Sequence, residues 1–250
     1  MNILITNDDG ILSQGIHSLA QKFSSLGTVY VAAPEVECSG AGHSINISTP
    51  LKAKRHDING AQCAWAVKGT PADCVKLAVS SLLPDKPDLL ISGVNAGPNI
   101  GVSILYSGTV GAAAEGAVQH IPSMAVSLGF GCEGSFDTAA DYALTIYETI
   151  GLDRFPTRCV VNINVPAIPD DDIQGIKITR HSQASFNEFY QKAHDPWGRE
   201  YFWIDGKLKY PQSPEVDAYA LETGFVTVTP LHFDWTSEPH YTEFKEIFQE

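Results

Sequence analysis

The opening of the chain constrains the fold most, because it contains two strand-like runs separated by a helix-like pattern. Residues 3–5 are a short apolar run, and apolar residues at helical spacing follow at 16–23. Residues 28–33 form a second β-type run, which Pro34 ends. Two strands joined through a helix usually lie parallel, with a right-handed crossover. This order predicts a parallel sheet covered by helices.

The same alternation continues to about residue 166. A hairpin is predicted for residues 51–67, with its turn at Asn59-Gly60. The other predicted elements are a helix at 71–82, a strand at 89–91, a helix at 110–118, a strand at 124–128, a helix at 136–150, and strands at 159–165 and 225–229. The pattern predicts an α/β core with a mostly parallel sheet.

The composition changes after Pro166, where aromatic and turn-forming residues become frequent. The aromatic residues of this segment are Phe186, Phe189, Tyr190, Trp197, Tyr201, Phe202, Trp203 and Tyr210. Such a segment is more often an arm buried against a partner subunit than a ligand-binding site. We expect a single domain with a core at 1–170 and 224–231, an arm at 175–222 and a tail at 232–250. The run Asp170-Asp171-Asp172 is expected to be a solvated loop.

The charge balance argues against nucleic-acid polymers and membranes as partners. Acidic residues outnumber basic ones by 29 to 16, which gives a formal net charge of −13. An acidic surface repels phosphate backbones and anionic lipids. A small anionic substrate would therefore need a local cation or a helix N-terminus.

The five cysteines, Cys38, Cys63, Cys74, Cys132 and Cys159, show no CxxC spacing. They are interpreted as small apolar residues in a reducing compartment. The chain opens without a basic leader, and its apolar runs are too short for a membrane span. These features predict a cytoplasmic protein.

Ligands of open parallel sheets bind beyond the carboxyl ends of the strands, and polar clusters follow four of the predicted elements. In the first cluster, Asp8 and Asp9 follow the opening strand. Adjacent carboxylates repel each other unless a cation lies between them, and their oxygens suit Mg²⁺ or Mn²⁺. An ordinary Asp-Gly turn explains the same residues equally well.

The second and third clusters contain further candidate ligands. Residues 35–44 include glycines that permit close approach of the backbone to a ligand, together with Ser39 and His43. A flexible loop is the alternative, and His43 is either a general acid or a surface histidine. Residues 92–101 offer the amide oxygen of Asn95 to a cation and the amide N–H groups of Asn99 to a phosphate. A purely structural loop is the alternative.

The fourth cluster, Ser107-Gly108-Thr109, opens a helix of small residues. Free N–H groups and the dipole at a helix N-terminus favour a phosphate, and Gly108 removes a side chain that would block access. A simple Ser or Thr N-cap is the alternative. The small residues of the helix are expected only to permit close packing.

Over its whole length the chain resembles the survival protein E (SurE) family. The matching stretches are ITNDDG (5–10), AAP and SGAGHS (32–34 and 39–44), KGTPADCV (68–75), SGVNAGPNIG (92–101), YSGTVGAAAEG (106–116), VNINVP (161–166), DPWGREYFWI (195–204) and ALETGFVTVTPL (220–231). Departures from the family pattern are Glu35, Gly42, Val102 and Trp197. None of these four is a proposed metal ligand.

The resemblance implies a Rossmann-like three-layer α/β fold and a nucleotidase acting on nucleoside 5′- and 3′-monophosphates, sometimes also on polyphosphate. It implies one divalent cation per subunit, Mg²⁺ or Mn²⁺, and dimers or tetramers built by swapping C-terminal segments. The implied metal ligands are Asp8, Asp9, Ser39 and Asn95. The Ser107-Gly108-Thr109 turn would hold the phosphate, together with Asn99.

Several alternatives stay open from sequence. A water activated by the cation could attack the phosphorus, or Asp8 or Asp9 could act as base or nucleophile. A non-catalytic nucleotide sensor would use the same cradle. A haloacid-dehalogenase-like phosphatase is disfavoured, because the first strand is not followed by its Asp-x-Asp pair.

Overall fold

The structure, a computed structural model, describes residues 1–131, 133–209 and 213–248. Cys132 and Tyr210 lie outside these ranges, and the side chain of Phe186 is likewise not described.

Strands and helices alternate along the chain. In order they are β1 (Asn2–Thr6), α1 (Gln14–Phe23), β2 (Thr28–Pro34), β3 (Ala53–His56), β4 (Cys63–Val67), α2 (Pro71–Leu77), β5 (Leu89–Ala96), α3 (Gly108–Val118), β6 (Ser123–Leu128), α4 (Phe136–Ile150), β7 (Val160–Val165), β8 (Ile176–Ile178), β9 (Ser185–His194), β10 (Glu200–Lys209), α5 (Asp217–Glu222), β11 (Val226–Leu231) and α6 (Glu238–Phe248). Short helical turns cover Ala78–Leu82, Gly101–Leu105, Leu152–Arg154 and Asp170–Asp172.

The main sheet has the order β3-β4-β2-β1-β5-β6-β7-β11-β8. Its centre is parallel, and only β3 and β11 run antiparallel to β4 and β7, respectively. Helices α1 and α4 pack on one face, around Phe23 and Tyr147, and α2 and α3 pack on the other, around Val75 and Ala113. The predicted three-layer α/β sandwich with a mostly parallel sheet is confirmed.

Strand β5 is longer than its apolar run predicted. It continues past Ile91 to Ala96, so Asn95 lies on a strand rather than in a glycine-rich loop. Its pairing with β6 shifts register between Ser92 and Asn95. The apolar pattern ended too early because Ser92 and Gly93 interrupt it, although both are buried and Val94 packs in the core.

The predicted hairpin at 51–67 is present, as β3 and β4 pair antiparallel. The helix predicted for 71–82 is α-helical only as far as Leu77, and a π-helical turn completes it. The Asp170–Asp172 segment is an exposed helical turn, as expected of a solvated run.

The aromatic segment contains a second, two-stranded sheet in which β9 and β10 pair antiparallel. Its described aromatic side chains are exposed, including Tyr190, Trp197 and Trp203. The assignment of this hairpin to an oligomerisation arm, and the predicted division into core, arm and tail, stay predictions.

The described cysteines are free thiols, and Cys74 is fully buried while Cys38, Cys63 and Cys159 are half-buried. No helix in the described part of the chain is long and apolar enough to cross a membrane.

Candidate active site

The turn after β1 is built by Asn7, whose buried side chain organises the backbone around the two aspartates. Its Nδ2 donates to the Gly10 carbonyl at 3.0 Å and to Ser13 Oγ at 2.6 Å, and its Oδ1 accepts from the Gly10 N–H at 3.2 Å. Asp8 is only 6 % exposed. This segment is therefore not a simple surface turn.

The carboxylate of Asp8 lies at the N-terminus of α3. It accepts hydrogen bonds from the Thr109 hydroxyl and from the backbone of Gly108 and Thr109. Burial raises the pKa of Asp8, although these hydrogen bonds oppose the rise. A β-carbon on Gly108 would lie 2.9 Å from Asp8 Oδ2, so only glycine permits this approach.

The second carboxylate, Asp9, faces the end of β5. Its Oδ2 accepts from the Ala96 N–H at 3.2 Å. Burial and the neighbouring charge of Asp8 raise the pKa of Asp9 to about 6, and Glu37 adds to the rise. Asp9 thus lies against Ala96, the residue that follows Asn95 on β5.

Ser39 is carried by the loop that follows β2. The preceding Cys38 donates its N–H to the carbonyl of Asp8 at 2.8 Å, which brings the loop against the β1 turn. The Ser39 hydroxyl donates to Glu37. Sequence reasoning missed Glu37, for which the available signal was its position two residues before the candidate ligand Ser39.

Asn95 and Asn99 occupy different environments. The Asn95 amide N–H donates to the Gly97 carbonyl at 2.6 Å, which leaves the amide oxygen available. Asn99 is buried, and its side-chain amide donates to Ser127 Oγ at 2.9 Å. The amide of Asn99 is therefore already engaged within the sheet, and a role in holding phosphate is still a prediction.

The three residues of the turn that opens α3 make different contacts. Ser107 Oγ accepts from the Val110 N–H at 3.0 Å and caps the helix, as the alternative interpretation of this cluster expected. Thr109 bonds to Asp8, and Gly108 provides the close approach. Both sequence interpretations of the cluster therefore describe part of it.

The donor set fits a hard divalent cation. Two carboxylates lie side by side, and burial and mutual repulsion raise the pKa of Asp9, which is the situation a cation relieves. No three His, Cys, Asp or Glu side chains form a metal-binding group within the described ranges. The candidate set is instead two carboxylates with hydroxyl and amide oxygens, which suits Mg²⁺ or Mn²⁺ better than zinc.

Two buried carboxylates that sequence reasoning did not select hold the loop of Ser39. Glu115, on α3, contacts His43 Nε2 at 3.0 Å. Asp73, on α2, accepts from the Asn46 N–H at 3.0 Å. Their partners in this loop are 72 and 27 residues away, so no local sequence pattern reports these two contacts.

A cavity of about 320 Å³ adjoins the first turns of α3. Ser107 and His43 line it together with apolar side chains from α3, the end of β11 and the segment that follows, namely Val110, Ala114, Leu231, Phe233 and Trp235.

Residues 3–188 match the family model described as survival protein SurE. Two relatives, both named 5′-nucleotidase SurE, come from Maridesulfovibrio salexigens and Syntrophomonas wolfei. The first is 41 % identical over 99 % of both chains. The second is 40 % identical over 100 % of this chain and 96 % of its own.

The chain belongs to the SurE family. A crystal structure of the SurE protein from Aquifex aeolicus superimposes with a TM-score of 0.85 at 37 % identity, covering 99 % of each chain. The SurE resemblance inferred from the sequence motifs is therefore confirmed. Four of those motifs carry the contacts described above, because Asp8 and Asp9, the Ser39 loop, Asn95 and the start of α3 each lie in one of them.

Proposed function

We propose that this protein is a divalent-metal-dependent 5′-nucleotidase, which hydrolyses the phosphomonoester bond of nucleoside 5′-monophosphates. The buried carboxylate of Asp8 at the N-terminus of α3, with the half-buried Asp9 next to it, is the observation that carries the proposal. A cation between these carboxylates and a phosphate at the helix N-terminus complement each other in charge. Nucleoside 3′-monophosphates and short polyphosphates belong to the proposed wider substrate range.

Asp8, Asp9, Ser39 and Asn95 would hold one Mg²⁺ or Mn²⁺ per subunit. When bound, such a cation compensates the negative charge of the phosphoryl oxygens. The protein's own part is to position these oxygen ligands. It does so through the Cys38 bond to Asp8 and the Ala96 bond to Asp9.

Ser107, Gly108 and Thr109 would orient the phosphate, with Asn99 as a further donor. The N–H groups at the start of α3 carry partial positive charge, and Gly108 lets the carboxylate of Asp8 lie close to this helix end. Phosphoryl transfer spreads charge over the equatorial oxygens, so fixed donors aimed at them lower the barrier.

The attacking group is a water or one of the carboxylates. Incubation with substrate labelled with ³²P at the phosphate distinguishes these routes. Label retained on the denatured protein shows an aspartyl phosphate on Asp8 or Asp9, whereas its absence in a single-turnover experiment supports direct attack by water.

The nucleoside would occupy the cavity of about 320 Å³ beside α3. Its size lies within the range of about 300–1,000 Å³ usual for small-molecule sites. Ser107 belongs both to the cavity and to the phosphate turn, so a phosphate at α3 carries its nucleoside towards the cavity.

The β9–β10 hairpin would act as an arm in a homodimer or homotetramer formed by swapping C-terminal segments. Exposed aromatic side chains such as Trp197, Tyr190 and Trp203 support this role, since such groups are costly to leave in water. A cytoplasmic location completes the proposal.

Phosphate release from AMP tests the proposed activity. We expect turnover with Mn²⁺ or Mg²⁺, loss after treatment with EDTA, and recovery when the metal is restored. AMP binding without phosphate release under any of these conditions would instead identify a nucleotide sensor.

A further inference from the structure

The loop that carries Ser39 is not held by burial of its own side chains. Ile45 and Ile47 are 47 % and 87 % exposed, and Ser39 and His43 are also exposed. Its position therefore depends on hydrogen bonds to neighbouring elements. An unsupported loop of this kind would sample many positions, and its ligand would then contribute little affinity.

Glu115, a buried acidic residue on α3, provides one of these hydrogen bonds. It is 5 % exposed on a helix whose other inward residues are mostly alanine and glycine. Its Oε2 contacts His43 Nε2 at 3.0 Å. Its Oε1 accepts from Gln119 at 2.8 Å and from Lys76 at 3.2 Å. One carboxylate oxygen thus contacts the Ser39 loop, and the other accepts hydrogen bonds from side chains of α2 and of the end of α3.

The loop backbone lies directly on α3 at the same point. A β-carbon on Gly111 would lie 2.5 Å from the Gly42 carbonyl oxygen and 3.0 Å from the His43 Cα. The Gly42 N–H donates to the Tyr106 carbonyl at 2.9 Å. Gly111 therefore permits the contact that Glu115 and His43 secure.

Helix α2 fixes the far end of the loop. The Asn46 N–H donates to Asp73 at 3.0 Å, and the Thr70 hydroxyl donates to the Ser44 carbonyl at 2.7 Å. Between this anchor and the Cys38 bond to Asp8, His43 is the side chain that ties the loop to α3.

We propose that Glu115 is a positioning residue that, through His43, holds the Ser39 loop against α3 and so presents Ser39 to the cation bound by Asp8 and Asp9. The proposal rests on the metal site of the proposed function. The contact between His43 and Glu115 joins the Ser39 loop, which carries a metal ligand, to α3, whose first turn would face the phosphate. The effect on the cation is indirect, because neither Glu115 nor His43 is a proposed ligand.

Mn²⁺ binding to the substrate-free protein, followed by electron paramagnetic resonance of the free ion, tests this role without relying on turnover. The variants are His43→Ala, Glu115→Ala and the double variant. Loss of a partner that orients a metal ligand typically weakens metal affinity about 10–100-fold. We expect at least a tenfold weaker affinity in each single variant and no further loss in the double variant, since both act through one contact.

Gln119→Ala is the matched control. It removes a hydrogen bond to the same carboxylate, at 2.8 Å, without touching the loop, so wild-type Mn²⁺ affinity is expected. Glu115→Gln should recover most of the lost affinity, because its amide oxygen can still accept from His43. His43 is exposed, so His43→Ala keeps the test decisive if Glu115→Ala fails to fold.

The positioning role alone fails if the wild type binds Mn²⁺ and releases phosphate while His43→Ala binds Mn²⁺ equally well. Losses that add in the double variant, or an equal loss in Gln119→Ala, overturn it as well. A wild type that binds no Mn²⁺ overturns the proposed metal site and this role with it.

Discussion

The hydroxyl of Thr109, at the start of α3, donates a hydrogen bond to the carboxylate of Asp8, at the end of β1. This contact joins the element that favours anions to the residue pair that favours a cation. Because the two residues are 101 positions apart, it exists only when the sheet and α3 are correctly packed.

Asp9→Asn should abolish turnover while preserving the fold. Loss of a metal-coordinating carboxylate removes several kcal/mol of charge compensation, which corresponds to at least about a hundredfold in rate. In EDTA the variant should melt no lower than the wild type, because Asn removes the repulsion between Asp9 and Asp8. Phosphate release from AMP and thermal unfolding measure both effects. Retained turnover would show that Asp9 is dispensable.

Gly108→Ala should disturb Asp8 directly. Its new β-carbon would lie 2.8 Å from the Asp8 Cβ, so the carboxylate has to move. A displacement of about 1 Å can cost about a hundredfold in rate, and we expect a loss of that order in kcat. Circular dichroism checks that the helix is intact. A variant with wild-type kcat would show that the close packing of Gly108 on Asp8 is not needed for catalysis.

Ala114→Phe should fill the cavity beside α3, which Ala114 lines. If the nucleoside binds there, KM for AMP rises about tenfold or more, the cost of losing about 1.4 kcal/mol of contact. KM for ribose 5-phosphate, which lacks the base, should change little. Equal effects on the two substrates would place the base elsewhere.

Glu115→Gln should reduce stability in a pH-dependent way. Burial alone would raise the pKa of Glu115, but hydrogen bonds from His43, Gln119 and Lys76 outweigh it and lower the pKa below 4.5. A carboxyl group whose pKa is lower in the folded than in the unfolded state stabilises the fold at any pH above its unfolded-state pKa. This contribution is lost as the pH falls through its folded-state pKa. We therefore expect the free energy of unfolding of Glu115→Gln to be about 1–3 kcal/mol below that of the wild type at pH 7, and this difference to shrink in acid.

Urea unfolding at pH 7 and at lower pH measures this difference. Val118→Ala is the control, because this exposed, uncharged neighbour on α3 has no titrating group. A Glu115→Gln deficit that does not change with pH would contradict the ionised state assumed for Glu115.

Trp203→Asp should weaken self-association. Trp203 is 67 % exposed on β10 and packs edge-on against Tyr201, so the pair forms an exposed apolar surface. Sedimentation velocity should show more monomer than in the wild type. Val118→Asp, an exposed apolar position on α3, should sediment as the wild type does. If Trp203→Asp also matches the wild type, the hairpin is not an assembly arm.

Local sequence patterns predicted much of this fold. Buried strands such as β1 and β6 are apolar runs, and α4 begins and ends where its apolar periodicity indicated. The pattern failed for β5, because the buried Ser92 and Gly93 interrupt its apolar run before Val94 returns to the core.

The candidate site was predictable only in part. Asp8 and Asp9 are adjacent in sequence, and glycine-rich motifs mark the loop of Ser39 and the start of α3. Glu115 was not predictable, since one acidic residue in a helix of small residues usually faces solvent. Its contact with His43 spans 72 positions, and no local pattern reports such a pair.

The most direct measurement is equilibrium dialysis of Mn²⁺ against metal-free protein, with AMP hydrolysis followed on the same samples. We expect the wild type to bind one Mn²⁺ per chain and to regain phosphate release as the ion binds, and we expect Asp8→Asn and Asp9→Asn to do neither. Full phosphate release from AMP by the metal-free wild type would contradict a cation-dependent site at these two carboxylates.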